Sequence, residues 1–512
     1  MYWESQGVPT ASVSLWTRMT RSIGDWEQEL YGKYGKCFGV YELNRPVLYL
    51  SEPDLIRDVL VKDFHIFPNR RDFSTGADPL IDKAVGIIRD DDWKRVRTII
   101  SPTFTAGKLR KMVPMIDQCM DNMSKYLDSI ANNRTNGSIG DMKQLFGAYS
   151  MEVIIQVAFG TRVDTLFDRD NPFIGNASKM FSTDFSLSLL IINIWPELAK
   201  LLKLSIVDKS VSKFFREFTL KIIADRRSSS SSSGQSATDT TTTTKRTDFL
   251  QLMLDTMTDN DNNKTTTTTT TTTSDVNNSD KYLTDDELMA QSIIFFIAGY
   301  ETTATALSVI TYLLAKHPDC QQRLYDEIDD YVRHHKQSDV DYDILYSLKY
   351  LDAVFKESQR LYPAVTAIER QANQDYTLNN HTTGQHHQHH QRSSDGITIR
   401  KGQVVHIPVY CIHRDPANYP QADQFLPDRF LPGNQLGQHH HPYAFLPFGS
   451  GPRQCIGMRL ALIESKLALV NAVYNYRFFD TGKPLEFYDA LFGVMTPKQV
   501  FVRVEKRPKI IN

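Results

Sequence analysis

Apolar residues recur at i, i+3, i+4 spacing along most of this chain. Segments 78–100 (DPLIDKAVGIIRDDDWKRVRTII), 152–160 (EVIIQVAFG), 287–317 (ELMAQSIIFFIAGYETTATALSVITYLLAKH) and 348–363 (LKYLDAVFKESQRLYP) all carry it. The period predicts helices, each with a face against a core. Alternation suited to strands is short and sparse: 38–43 (FGVYEL) with 46–51 (PVLYLS) near the start, and 396–408 (GITIRKGQVVHIP) near the end. The pattern describes a mainly α chain with a small β region.

Three polar homopolymers break the periodicity: serines 228–233 and threonines 240–244 and 265–273. Such tracts bury too little apolar area to offset the entropy of ordering. Residues 228–280 therefore read as a mostly disordered surface loop around one short helix, 247–257 (TDFLQLMLDTM). Stretch 381–394 (HTTGQHHQHHQRSS) and the later QHHHP could chelate a metal, but histidines scattered among glutamines lack the spacing of a ligand set on rigid elements. An unordered insertion is the alternative.

At 512 residues, 41% hydrophobic and 23% charged, the chain can bury a large core. A net charge of -2 gives no support to a nucleic-acid partner. Five cysteines, widely spaced and without a CxxC pair, suggest neither a disulfide framework nor a structural zinc site, and fit a reducing compartment. The first twenty residues show no charged leader followed by an apolar core. Segment 185–204 (FSLSLLIINIWPELAKLLKL) is broken by Asn193 and Pro196. It suits an amphipathic segment lying in a membrane surface, or equally a helix pair facing a core.

One cysteine stands out. In 447–457 (PFGSGPRQCIG), Cys455 is surrounded by Gly449, Gly451, Gly457 and Arg453. Glycines allow backbone to approach a flat ligand and turn sharply. The segment that follows reads as a helix, so Cys455 lies near its N-terminus, where free amides favour a thiolate and tune its donation to a metal. With Phe448, this pattern resembles the haem-binding loop of the cytochromes P450.

The resemblance extends along the chain. Glu357 and Arg360 of KESQR match the family's ExxR, and Arg429 of FLPDRF would complete a network behind the cysteine loop. Trp93 and Arg97 lie at i, i+4 in DDWKRVR. In the family pattern they bind a haem propionate together with Arg453, Arg370 and Arg70, since guanidinium forks suit carboxylates. The helix at 295–307 (FFIAGYETTATAL) keeps Gly299, Glu301, Thr302 and Thr303 in its apolar centre, where unpartnered polar groups cost several kcal/mol, roughly 2 to 7 each. The resemblance makes Glu301 and Thr302 a proton relay for oxygen activation, with Ala298 beside the haem and the helix locally opened at Gly299.

Stretches such as YGKYGKCFGVYELNRPVLYLS, WKRVRTIISPTFTAGKLRKMVPMI and VYCIHRDPANYPQADQFLPDRFLP look like the animal microsomal family 3 group. The implied fold is a triangular prism of helices around a buried haem b. It comprises an N-terminal segment, 1–30, lacking the usual membrane anchor, and one catalytic domain, 31–512. The implied activity is a haem-thiolate monooxygenase that hydroxylates or epoxidises lipophilic small molecules such as xenobiotics, steroids or fatty acids. It would use O2 and electrons from NADPH through NADPH-cytochrome P450 reductase, with cytochrome b5 as a further partner. The implied place is the cytosolic face of the endoplasmic reticulum membrane. Axial ligation falls to Cys455. The substrate pocket falls to Ile87, Ile88, Phe295, Ile297, Ala298, Thr302, Val365, Ala367, Ile368, Val494 and Met495. Lys94, Arg95, Lys108, Arg110, Lys111 and Arg459 form either a docking face for an acidic reductase or a solvated helical face. Two other classes remain open: reductase-independent rearrangement of peroxides, and haem or sterol binding without turnover.

Overall fold

The computed structural model describes residues 2–508 apart from 15, 18–20, 43, 73, 134, 136, 169–170, 182–190, 193–194, 206, 233–245, 259–281, 335–343, 380–395, 435–439 and 489–492. The histidine-rich insertion and both threonine tracts lie outside the described residues, as does much of 185–204.

The principal helices are α1 (Ile23–Tyr34), α2 (Asp90–Ile100), α3 (Val113–Asn132), α4 (Met142–Phe159), α5 (Pro172–Phe181), α6 (Lys209–Ser232), α7 (Phe249–Thr258), α8 (Asp285–Lys316), α9 (Pro318–His334), α10 (Lys349–Leu361) and α11 (Met458–Asn475). The strands are β1 (Thr10–Ala11), β2 (Cys37–Glu42), β3 (Arg45–Leu50), β4 (Ile139–Asp141), β5 (Ile368–Gln371), β6 (Tyr376–Leu378), β7 (Ile397–Ile399), β8 (Val404–Ile407), β9 (Tyr476–Asp480) and β10 (Phe501–Lys506). One sheet runs β1-β2-β3-β8-β5, a second β4-β10-β9, and β6 pairs with β7. In the large sheet β8 runs parallel to β3, Leu48 opposite Val405, and antiparallel to β5, Arg370 opposite Val405.

The 32-residue α8 is the central strut. A capping box starts it: Thr284 accepts from the Glu287 amide while the Glu287 carboxylate reaches back to the Thr284 amide. By length and composition α8 could cross a membrane, but it is mostly buried here, packed on α4, itself buried on nearly every side. The two helices approach closely because Gly299 faces Ile154. A Cβ on Gly299 would fall 2.8 Å from the Ile154 Cδ1.

Segment 78–100 is not one helix. A short turn of helix, Pro79–Asp82, is followed by irregular chain, and α2 begins only at Asp90, whose φ is 49°. The serines at 228–232, expected in a loop, instead form the last turn of α6, and the predicted short helix is α7. Near the N-terminus Trp3 is fully buried over Gly39 of β2, where any side chain would meet its ring. Among the described residues all five cysteines are free thiols, and only Cys455 is exposed.

Candidate active site

The Cys455 loop is built by its own backbone. The Cys455 amide donates to the Phe448 carbonyl at 2.9 Å, the Gln454 amide to Gly451 at 2.9 Å, and the Gly449 amide to Leu446 at 3.1 Å. Gly449 and Gly451 have φ of 71° and 76°, a region in which a Cβ is strained. The Gly457 and Met458 amides at the start of α11 donate to the Cys455 sulfur. Burial pushes this thiol up, while those amides and the guanidiniums of Arg70 and Arg97 pull it back. The sulfur is thus desolvated by surrounding protein and yet accessible, which describes the floor of an internal hollow.

Behind the loop, the Glu357–Arg360 pair of α10 is completely buried. Arg360 grips both Glu357 oxygens, at 2.7 and 2.9 Å, and donates to the His413, Ala422 and Gln424 carbonyls. Glu357 also accepts from the Leu426 amide at 2.9 Å and faces the Arg429 Nε at 3.5 Å. The three residues picked from two distant motifs therefore do converge. The link onward to the cysteine loop runs through a residue the motifs did not reveal. The His413 Nε2 accepts from the Leu446 amide at 2.8 Å, so one imidazole joins the Glu357–Arg360 pair to the turn that leads into Cys455. Burial, then Arg360, pushes His413 down to about 3, leaving it a neutral acceptor. Only its place between a buried pair and a loop, not its sequence context, gives it away.

Four guanidiniums gather around the hollow: Arg70 and Arg97 act on the Cys455 thiol, and the buried Arg370 and Arg453 lie close enough to Arg70 to be lowered by it. Among the described residues, none of them has a carboxylate within ion-pair distance. Arg453 stacks on Trp93, 4.2 Å from the ring, and donates to the Pro68 and Ile88 carbonyls. Arg97 reaches the Gln454 carbonyl at 2.9 Å. Two buried donors, the Arg370 Nε and the Arg453 Nη1, have no protein partner. Burial, then neighbouring guanidiniums, lowers Arg370, and the same causes bring Arg453 down to about 9. Cations gathered without an ion-paired carboxylate favour an anionic guest. A flat group with carboxylate arms and a metal for the thiolate meets every one of these demands, so the residues present fit haem.

Between Glu287 and Ala315, the positions of α8 that are not buried are Ile294, Ile297, Ala298, Gly299, Tyr300 and Thr302; Ile294, Ala298 and Thr302 share one face at i, i+4, i+8, and Ala298 is the exposed one. The helix stays continuous through Gly299, with the Thr302 hydroxyl donating to the Ala298 carbonyl at 2.7 Å, rather than opening there. Glu301 is not beside that hydroxyl. It is buried toward α4, ion-paired with Lys143 and accepting from the Thr305 hydroxyl at 3.2 Å. A relay through both Glu301 and Thr302 would require the carboxylate to leave Lys143.

Other expected pocket residues divide. Val365 bridges Val494, and the Met495 amide donates to Ala364, which brings these two distant segments together. Ile368 lies over the cysteine loop, its Cδ1 3.7 Å from where a Gly449 Cβ would stand. Ile87, Ile88, Ile297 and Ala367 are half-buried. Phe295 does not belong with them: it is buried edge-on against Phe104 at 5.2 Å and against Phe249, facing α7 instead. Arg95 leaves the docking set for a similar reason, because it is tied to Glu287 and the Tyr282 carbonyl. Lys94, Arg110, Lys111 and Arg459 are exposed.

Known proteins are similar to this chain over most of its length. The family model described as Cytochrome P450 matches residues 6–503. The chain is similar to Cytochrome P450 3A2 of Rattus norvegicus, 36% identical over 501 residues, covering 96% of this chain and 89% of the relative. It is also similar to Cytochrome P450 3A9 of Rattus norvegicus (37% over 513 residues, 97% and 90%) and to Cytochrome P450 3A6 of Oryctolagus cuniculus (37% over 501 residues, 96% and 89%). The cofactor is haem b, supplied with electrons from NADPH through a redox partner, and the reaction is a monooxygenation of lipophilic small molecules by O2. The chain belongs to the cytochrome P450 family.

Proposed function

We propose that Cys455 is the axial ligand of the haem and that Arg70, Trp93, Arg97, Arg370 and Arg453 hold its propionates. The observation that carries this reading is an accessible sulfur held by two amides beneath guanidiniums that have no carboxylate partner. When bound, a thiolate-ligated haem supplies reductive activation of O2, so that one oxygen atom enters a C–H bond or double bond and the other leaves as water. The chain's own part is placement. Ala298, on the open stripe of α8, leaves room for the substrate's reacting carbon, and the Thr302 hydroxyl holds the proton-donating position on that stripe. Val365, Ala367, Ile368 and Val494 form the apolar wall that selects lipophilic molecules, xenobiotics and steroids among them, and excludes water.

The redox partner is NADPH-cytochrome P450 reductase, with cytochrome b5 as a second donor. The exposed cations Lys94, Arg110, Lys111 and Arg459 are their docking charges. Attachment to the endoplasmic reticulum membrane, on its cytosolic face, uses the described end of 185–204, where Trp195, Leu201 and Leu202 are 62%, 78% and 53% exposed.

The test is the carbon-monoxide difference spectrum of the reduced protein, with Cys455→Ser alongside. A red-shifted Soret band lost in the variant establishes the ligand, and a band unchanged by the substitution overturns it.

A further inference from the structure

The four guanidiniums sit on four separate segments that repel one another, and one uncharged side chain lies among them. Asn69, 1% exposed, donates from its Nδ2 to the Asp90 carboxylate at 2.7 Å, and its Oδ1 accepts from the Asp90 amide at 2.9 Å and from the Arg453 Nη2 at 3.3 Å. Its backbone carbonyl accepts from the Gln371 amide at 2.9 Å, in an isolated bridge to β5. Asn69 precedes Arg70 in sequence, Gln371 follows Arg370, and Asp90 is the first residue of the helix that carries Trp93 and Arg97. Every segment that contributes a cation is therefore bound to this one residue. Asp90 holds a positive φ that a non-glycine residue adopts at a cost, and the reciprocal bonds to Asn69 are what hold it there.

We propose that the Asn69–Asp90 pair is a positioning device that presets the guanidinium cradle for the propionates of the haem. The inference rests on the haem reading above. The pair bonds no cofactor atom. It fixes where α2 starts relative to β5 and the cysteine loop, so the cations are in register before the anion arrives, and their mutual repulsion cannot spread them.

The experiment measures haem release to excess apomyoglobin and the haem midpoint potential in the purified holoprotein. Asn69→Ala should release haem about tenfold faster, the effect of losing a hydrogen bond to a charged group, and should shift the potential while the thiolate carbon-monoxide band persists. Asp90→Asn keeps the acceptor oxygen and a residue tolerant of that φ but loses the carboxylate's charge, and should release haem at a rate between wild type and Asn69→Ala. Asn69→Asp sets two carboxylates against each other and should release quickly, and adding Asp90→Asn to it should restore retention. A residue that only stabilised the fold would lower the unfolding midpoint and leave the potential unmoved. Wild-type release and potential in Asn69→Ala and Asn69→Asp, or a double variant no better than Asn69→Asp alone, overturns the proposal. If Asn69→Ala does not fold, the Asn69→Asp pair decides. A wild type without a thiolate-haem band overturns the haem reading, whereas a normal band with indifferent variants overturns only the positioning role.

Discussion

Three glycines in the cysteine loop look equivalent in sequence, and the structure ranks them. At Gly451, φ is 76° and a Cβ would overlap the Leu60 carbonyl, a backbone atom in the π-helical turn Asp58–Lys62. That turn closes with the Asp63 amide donating to the Asp58 carbonyl, so the carbonyl cannot swing aside as a side chain would. A left-handed alanine costs about 1–2 kcal/mol, and pushing a packed turn aside adds roughly 1–3 more. At Gly449, φ is 71°, but the nearest side-chain atom to a Cβ is the Ile368 Cδ1 at 3.7 Å, so only the conformational cost of about 1–2 kcal/mol applies. At Gly457, φ is -84° and nothing lies within 4 Å of a Cβ. Alanine there should be neutral or stabilise by up to about 1 kcal/mol. The assay is thermal unfolding of the holoprotein with the carbon-monoxide spectrum recorded on each variant. The expected order of loss is Gly451→Ala, then Gly449→Ala, with Gly457→Ala near wild type. Equal losses at all three positions, or Gly457→Ala as the worst, would refute the argument that close approach and φ, rather than glycine flexibility in general, shape this loop.

Glu357→Ala strands two fully buried guanidiniums and should cost about 3–5 kcal/mol, read as a lower unfolding midpoint and lost haem content. Lys143→Met leaves the Glu301 carboxylate buried without its cation and should destabilise by a similar amount. Adding Glu301→Gln should recover most of that loss, and a double variant as unstable as Lys143→Met would contradict the pairing. His406 sits between Glu27 at 2.8 Å and Glu369 at 3.0 Å, and these carboxylates, outweighing burial, raise it to about 9. Because its folded value lies above the unfolded value of about 6.5, its stabilisation is full below that pH and lost as pH rises through about 9. Denaturant unfolding between those limits should show stability falling with pH in the wild type and a flatter profile in His406→Gln.

How much was legible from sequence depends on whether a role is local. Most of the helices, the hairpin β2–β3, the loop around Cys455 and the Glu357–Arg360 pair follow from spacing along one segment and are found there, whereas 78–100 breaks into two helices and the serines at 228–232 extend a helix. What sequence could not supply is which way a residue faces. Glu301 and Thr302 are neighbours in a motif, but successive helical positions are about 100° apart, so one meets Lys143 on α4 and the other the open stripe. Phe295 shares a helix with Ala298 yet packs on Phe104. His413, Asn69 and Asp90 carry no motif of their own, and their importance arises only where distant segments meet.

The same limit explains two adjacent arginines with opposite fates. Arg70 and Arg71 follow one another in non-helical chain, where neighbouring side chains tend to opposite sides. Arg70 faces the thiol without an anion, while Arg71 is enclosed by Glu42 and Glu369. Strand β5 sorts its charges in the same manner: Glu369 turns to Arg71 and His406, and Arg370, one residue on, turns to the other guanidiniums. Composition counts these as compensating pairs, two acids against three bases and a histidine. The pleat separates them into a neutralised layer on one face and an uncompensated cationic layer on the other. That separation creates the demand for an anion, and it depends on register: a one-residue slip of β5 against β8 would turn Glu369 toward the hollow and place a carboxylate where the propionates must bind.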